Sequence, residues 1–469
     1  MERQCQCAKP HEACGIFGIA VSGDDRRDPA AAAYNALFAL QHRGQESAGI
    51  AVRTDRGLLL HKHAGLVPEV FSAQILESFR GGSAAIGHVR YTWEGVDQSP
   101  LNAQPLMVRH ASGSMALCYN GRLVNGAQLR METETRGGIF QTNNDAEIIS
   151  YIIVREHLRT NTTEDAILNA MQYMIGAYSL VVMDDTKLIA ARDPNGFRPL
   201  SIGKVGDSWM FASESCAFTA LGGQLVREVE PGEVVVVENG VLTSHRCGII
   251  AKSALCMFEF IYFARPDSVL DGVSVDLARR AAGRCLARRS TVEADLVMGV
   301  PDSGMAAAMG FAEESGIPYA VGLMKNRYIA RTFIQPDQSA REKAVRIKLN
   351  PISSVIRGKR IILVDDSIVR GTTSQRIVRM LREAGAREVH LKVSSPPFLY
   401  PCYFGTAIPD SSELAAHGRT LEEVRARIGA DSLQYLPVED LPQMTAGLRH
   451  GFCDACFTGN YVVPVPKEP

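Results

Sequence analysis

Short apolar runs separated by turn residues fill the first half of the chain, and a different alternation takes over near residue 270. In the first half the runs 84–89, 179–183, 188–190 and 233–237 lie between Gly, Asn, Asp and Pro. That spacing predicts a packed β-rich domain with a few helices. Asp28 and Pro29 open an alanine-rich stretch reaching Leu37, Phe38 and Leu40, which predicts a helix with Asp as N-cap, Pro in the first turn and Gly44 as its stop. Asn144-Asp145-Ala146-Glu147 has the spacing of a capping box and opens a predicted helix over 145–158.

From about 270 the order becomes strand, Gly-rich turn, helix. The apolar run 294–300 leads through Asp302-Ser303-Gly304 into an Ala/Met-rich helix ending near Gly316. A second buried-strand run, 359–364, ends in Asp365-Asp366, and Gly371-Thr372-Thr373-Ser374 opens a helix with Ile377, Leu381 and Ala384 on one face, closed by Gly385. The next strand covers 389–393. This alternation implies a mostly parallel, doubly wound sheet whose ligands bind beyond the strand C-termini. Residues 1–13 read as a polar leader before an abrupt change at Cys14, and 462–469 as a frayed tail.

A length of 469 residues exceeds one ordinary core and predicts two domains. A net charge of -1 without any basic block excludes broad nucleic-acid or anionic-membrane binding, so a phosphate ligand must be held by local loops. No run of about 18 apolar residues is present to span a bilayer. The N-terminus lacks the apolar stretch of a secretory signal. A cytoplasmic location is expected. There disulfides explain the eleven cysteines poorly, and metal binding or catalysis explains clustered ones better.

The strongest local motif is the thirteen-residue run 361–373. An apolar strand delivers Asp365 and Asp366 to the sheet mouth, and the following loop supplies hydroxyls and backbone N–H groups at a helix N-terminus. That arrangement suits a phosphate monoester, with the carboxylates reaching sugar hydroxyls and a hydrated divalent ion. The G-x-x-x-x-G-K pattern of a P-loop is absent. These residues resemble the phosphoribosyltransferase signature. The resemblance implies substrate contacts from Asp365, Asp366, Ser367, Arg370, Gly371, Thr372 and Thr373, and a pyrophosphate loop at Asp302, Ser303 and Gly304. It also implies Mg²⁺ held by Ser303, Asp365 and Asp366, and a closing loop over 326–350.

Cys14-Gly15-Ile16-Phe17-Gly18 resembles the start of an N-terminal-nucleophile glutaminase, in which the cysteine becomes residue one and its own α-amine is the general base. Such an amine titrates near pH 8 and can accept the thiol proton. Gly87-His88-Val89-Arg90-Tyr91 resembles the strand whose arginine grips the glutamine carboxylate, a bidentate task suited to guanidinium. Asn120-Gly121 resembles the oxyanion hole. Asp145 matches the holder of the glutamine α-amine, although an acid there also suits the helix N-terminus by itself. The segment 41–47, Gln-His-Arg-Gly-Gln-Glu-Ser, matches the family without an evident role; His42 and His88 are expected to be structural. Three departures stand out: Tyr119 where relatives often have histidine, Arg122 after Asn-Gly, and Thr92-Trp93-Glu94.

Cys453-Asp454-Ala455-Cys456, with Cys256 and Cys402, resembles the iron–sulfur branch of the same enzymes and implies a structural [4Fe–4S] cluster. The thiols alone also fit Zn²⁺. Cys118, Cys216, Cys247 and Cys285 are expected to be buried thiols.

The chain as a whole resembles the glutamine-dependent phosphoribosylpyrophosphate amidotransferases. That implies a cleaved leader (1–13), an αββα N-terminal-nucleophile hydrolase domain (14–245), and a doubly wound α/β type I phosphoribosyltransferase domain (246–469). It implies an enzyme taking glutamine and phosphoribosyl pyrophosphate to 5-phosphoribosylamine, pyrophosphate and glutamate, the entry to purine synthesis. Purine nucleotides as feedback inhibitors and a homo-oligomer, a tetramer, follow from the same resemblance. Amino-sugar and asparagine synthesis use related first halves, but the second half here lacks an ATP pyrophosphatase loop.

Overall fold

Side chains that point alternately to opposite faces along the fully buried strand Gly15–Ala20 set the layering of the first unit. Phe17 and Ile19 pack on the helix Pro29–Ala39, while Ile16 and Ala20 turn to a second sheet. In the computed structural model, which describes residues 14–23, 25–91, 100–326, 349–406, 408 and 410–466, this strand lies inside a seven-stranded antiparallel sheet. It pairs with Ser208–Ala212 on one side and Ala84–Arg90 on the other. The leader, Cys5, Cys7, the Ala13–Cys14 bond, Thr92-Trp93-Glu94, residues 327–348 of the expected closing loop and the last three residues lie outside the described residues.

The second sheet has six antiparallel strands. Its Leu117 and Tyr119 face the helices Asp145–His157 and Thr163–Ala170, whereas Ala116 and Cys118 face the first sheet. The result is a helix–sheet–sheet–helix sandwich. The space between sheets is tight: a Cβ on Gly18 would sit 2.7 Å from Val181 Cγ1. Each large apolar side chain buried there contributes roughly 1.5–3 kcal/mol.

In the second unit, Leu296–Gly299, Arg360–Asp365, Glu388–Val393 and Ser432–Tyr435 form a parallel sheet in that order. Tyr319 bridges to Val297 on the outer side, so strand order reverses between Leu296–Gly299 and Arg360–Asp365. Val275–Arg288 and Met305–Ser315 cover one face, Thr372–Glu383 and Leu421–Ile428 the other. The loops after the two central strands therefore leave in opposite directions and open a crevice between them.

Three local expectations are corrected. The first helix ends at Ala39 and is followed by a 3₁₀ turn, Gln41–Arg43, so Gly44 closes that turn and not the helix. A Cβ on Gly44 would lie 2.6 Å from the Arg90 carbonyl carbon, which explains the glycine by close approach. At Asp145–His157, Asn144 caps as expected, but Glu147 accepts from Gln141 N, Thr142 N and Thr142 Oγ1 and closes no capping box. The tail is not simply frayed through its described part, because Val462, Val463 and Val465 pack against Phe197 and Phe404.

The two units meet through buried charge. Arg43, with no exposed surface, donates to Glu214 at 2.6 Å and to both Glu259 oxygens at 2.9 and 3.0 Å. Glu214 also accepts from Arg265 N and Ser268 Oγ, at 2.9 and 2.6 Å. Burial alone would raise the Glu214 carboxyl, but His42 and Arg43 overcome it and hold the group far below the usual carboxylate range. Nearby, Arg192 bonds Asp271 at 3.2 Å, and Glu228 accepts from Ser201 Oγ at 2.5 Å.

Burial first, and then the charge of Asp271, push Glu228 from 4.5 up to about 7. A carboxyl whose folded value is raised stabilises most below its unfolded value, and that contribution is lost as pH rises through about 7. Glu228→Gln is therefore expected to be more stable than the parent at pH 8.5, by roughly 2 kcal/mol, with the difference vanishing near pH 4. Calorimetric melts at the two pH values check this; an equal difference at both would contradict it.

Candidate active sites

Cys14 sits one residue ahead of the strand pairing, which begins at Gly15↔Val89. Its thiol donates to Tyr91 O at 3.8 Å, and its carbonyl accepts from Arg43 Nε at 3.3 Å. Burial raises the Cys14 thiol; the Tyr91 contact and the charges of Arg90 and Arg43 oppose it. Arg90 ends the neighbouring strand and is buried. The structure thus brings Cys14 and Arg90 together.

Asn120 and Gly121 lie on the facing sheet, in the strand Gly113–Leu123. Among the described residues neither Asn120 Nδ2 nor Oδ1 has a hydrogen-bond partner, although the side chain is 1% exposed. A buried amide costs free energy when unbonded, which makes this side chain a candidate to contact a ligand. Gly121 has φ +149, and a Cβ there would fall 2.0 Å from Ala177 O. The backbone before Asn120 is fixed by side chains: Gln104 accepts from Tyr119 N at 2.7 Å and donates to Tyr119 O at 3.3 Å. His88 Nε2 donates to the same carbonyl at 3.1 Å, and burial pushes the ring down to about 3, so it is a neutral donor. His88 is structural, as expected. His42, bonded to Glu214 at 2.7 Å, belongs to the unit interface.

Asp145, at the first position of its helix, accepts from Leu123 N at 2.9 Å and from the Tyr119 hydroxyl at 3.2 Å. Burial, and then the charge of Asp145, raise the Tyr119 hydroxyl well above the usual tyrosine range.

In the second unit the two expected loops meet at the crevice. Ser303 Oγ donates to Asp366 Oδ2 at 2.5 Å, and Ser367 donates to the other Asp366 oxygen. Asp366 N donates to Asp365 Oδ1 at 3.0 Å, and both aspartates are fully buried. The Pro301-Asp302 peptide is cis. A Cβ on Gly304 would lie 2.4 Å from Val364 O, so the loop presses against the neighbouring strand. Asp302 pairs with Lys325 at 2.6 Å, and Arg370 with Glu413. Gly371, at φ +82, precedes Thr372–Glu383 with no side-chain cap, leaving first-turn N–H groups facing the crevice mouth.

Cys256, Cys402, Cys453 and Cys456 line one pocket walled by Phe197, Phe258, Phe404 and Tyr461. Cys256 and Cys453 are partners in a short parallel pair. Burial pushes Cys256 up to about 11 and the thiols of Cys453 and Cys456 well up. Among the described residues no three His, Cys, Asp or Glu side chains converge closely enough for a single ion. Cys118, Cys216 and Cys285 are buried as expected, whereas Cys247 is only half-buried.

Sequence reasoning missed Arg43 and its partners. The available signal was Glu259, a lone carboxylate within the apolar run 257–263, which demands a buried cation.

Residues 88–220 match the glutamine amidotransferase domain family and residues 271–395 the phosphoribosyl transferase domain family. The chain is 48% identical to an amidophosphoribosyltransferase of Bacillus subtilis, covering 98% of this chain and 96% of that one. It is 46% identical to one of Methanocaldococcus jannaschii, over 97% and 98%. It is similar to a solved B. subtilis glutamine phosphoribosylpyrophosphate amidotransferase complexed with ADP and GMP, at TM-score 0.89 and 47% identity, covering 97% of this chain and 98% of that one. A second structure, described as the allosteric regulatory enzyme of purine biosynthesis, has TM-score 0.88 and 46% identity, covering 97% of each chain.

Because Gly121 has neither the φ nor the space for a side chain, Gly121→Ala is expected to lower stability by roughly 2–4 kcal/mol. Scanning calorimetry reads this directly, and an unchanged midpoint would mean the strand yields at no cost.

Proposed function

The chain belongs to the amidophosphoribosyltransferase family, and we propose on that premise how its two halves divide the work. The first half hydrolyses glutamine; the second joins the ammonia to phosphoribosyl pyrophosphate, giving 5-phosphoribosylamine and pyrophosphate. The observation that carries the first assignment is the buried amide of Asn120 beside Gly121, which has no hydrogen-bond partner among the described residues.

Arg90 holds the glutamine α-carboxylate and Asp145 the α-ammonium. The Cys14 thiolate attacks the amide carbon, and the oxygen that gains charge is received by Asn120 Nδ2 and the Gly121 region. Ammonia leaves, a Cys14 thioester remains, and water releases glutamate. The proton on Cys14 passes to its own α-amine once residues 1–13 are removed. In support, the strand pairing among the described residues begins at Gly15, one residue after Cys14.

In the second half, Asp365 and Asp366 bind the ribose hydroxyls, the N–H groups after Gly371 bind the 5-phosphate with Ser367, Arg370, Thr372 and Thr373, and the 302–304 loop binds pyrophosphate. Ammonia attacks C1 as the pyrophosphate C–O bond breaks. Mg²⁺, which the hard oxygens of Ser303, Asp365 and Asp366 suit, supplies positive charge to the leaving group when bound. A [4Fe–4S] cluster on Cys256, Cys402, Cys453 and Cys456 would staple the C-terminal segment to the unit junction; four thiols in one apolar-walled pocket support it. The nine described cysteines form no disulfide, which supports a cytoplasmic setting. Regulation by purine nucleotides and assembly as a homo-oligomer complete the proposal; the ADP and GMP complex of a relative supports the first.

Replacing Asp365 and Asp366 together with Asn is expected to abolish 5-phosphoribosylamine formation from ammonia, while Cys14→Ala abolishes glutamate release. Separate assays of the half-reactions decide; synthesis surviving in the double variant refutes the sugar-phosphate assignment. Anaerobically purified protein is expected to carry about four irons, from the cluster stoichiometry, and to begin at Cys14. Stoichiometric zinc, or mature active protein beginning at Met1, would overturn those two points.

A further inference from the structure

Tyr119 precedes the Asn120-Gly121 pair on its strand, and its side chain reaches Asp145. Its ring lies in the apolar cluster with Leu117, Ile149 and Tyr178, and only 4% of the residue is exposed. The hydroxyl leaves that cluster at the helix N-terminus, where its nearer acceptor is Asp145 Oδ2 at 3.2 Å, with Ala177 O at 3.5 Å. Leu123 N donates to the same oxygen at 2.9 Å. Among the described residues both hydrogen bonds to Asp145 reach Oδ2 and none reaches Oδ1. On the Oδ1 side the carboxylate leans over Gly126, where a Cβ would be 2.8 Å from that oxygen.

We propose that Tyr119 is a positioning residue that locks Asp145 with one oxygen committed and the other presented, and so sets selectivity for an amide donor bearing an α-ammonium. This rests on the reading of Asp145 as the amine holder. A carboxylate rotating freely would spend its charge on whichever donor it met. Fixed by a phenol and a backbone N–H, it offers Oδ1 to a cation in a single direction. The phenol is suited to this because it stays a neutral donor: burial, then the Asp145 charge, raise it well above the usual tyrosine range. It therefore leaves the Asp145 carboxylate uncancelled by a neighbouring cation of its own.

The test compares glutamine with glutaramate, which keeps the amide and carboxylate but lacks the α-amine. In Tyr119→Phe the ring packing is retained and the ratio of kcat/KM values, glutamine over glutaramate, is expected to fall roughly ten-fold, mainly through the glutamine KM. Both rates come from one preparation, so the ratio does not depend on the folded fraction. An unchanged ratio overturns the proposal. Asp145→Asn separates it from its premise. If that variant also keeps the parent ratio, the assignment of Asp145 fails. If it loses the ratio while Tyr119→Phe keeps it, only the role of Tyr119 fails.

Discussion

A guanidinium removed from water must be answered on every side, and Arg43 is the point where this chain meets that demand. An unpaired charge in such a place costs several kcal/mol, so its partners cannot be chosen loosely. Nε takes the Cys14 carbonyl, while the two terminal nitrogens take Glu214 and Glu259. These three partners come from the start of the first sheet, from the end of the same sheet's strand Ser208–Ala212, and from the first segment of the second unit. The backbone that carries the sulfur is therefore located by a carboxylate belonging to the other half.

That carboxylate is itself held from behind. Arg279, buried on the helix Val275–Arg288, donates to the carbonyls of Phe260, Tyr262 and Ala264 at 2.7 to 3.0 Å. Burial lowers this guanidinium to about 10, with the charge of Asp366 opposing. Arg198 bonds Glu259 at 3.2 Å and reaches Phe404 O and Thr406 Oγ1 in the segment that follows Cys402. In that segment Gly405, at φ +99, lies so close to Gly121 that a Cβ would be 3.0 Å from its carbonyl carbon. Both sides of the first site thus rest on parts of the second unit, Cys14 through Arg43 and Gly121 through Gly405.

The sequence carried the ends of elements better than their meetings. Asp28-Pro29 and Gly371-Thr372 were legible because caps and N-terminal turns are local chemistry written in adjacent residues. The crevice was legible because a continuous apolar strand ending in Asp-Asp has few structural uses. The spacing of apolar runs gave a packed β-rich domain, and the family resemblance two sheets, but neither gave which residues filled the space between them. Arg43 and Glu214 were illegible for the opposite reason: 171 residues separate them, and neither has a neighbour that betrays burial. Gly44 misled because a glycine after an apolar helix usually stops it, whereas here it clears the Arg90 peptide. Glu147 misled because a tertiary loop competed for the same carboxylate.

A net charge of -1 excluded a general electrostatic field, and the two sites show how little of one is needed. Under the proposed reading the first site handles a zwitterion, and it sets one arginine against one aspartate, each anchored by its own strand or helix end. The second handles a far more anionic ligand next to two buried carboxylates, an arrangement that is repulsive only if side-chain charge is counted alone. Backbone N–H groups after Gly371 carry no formal charge and cost nothing to the net balance, yet they concentrate positive potential at one helix end. On that same reading the carboxylates face the sugar, where hydroxyl donors and a divalent ion take their charge, and the helix end faces the phosphate. Separating the two over a single strand-to-helix turn is then how a nearly neutral chain holds a polyanion.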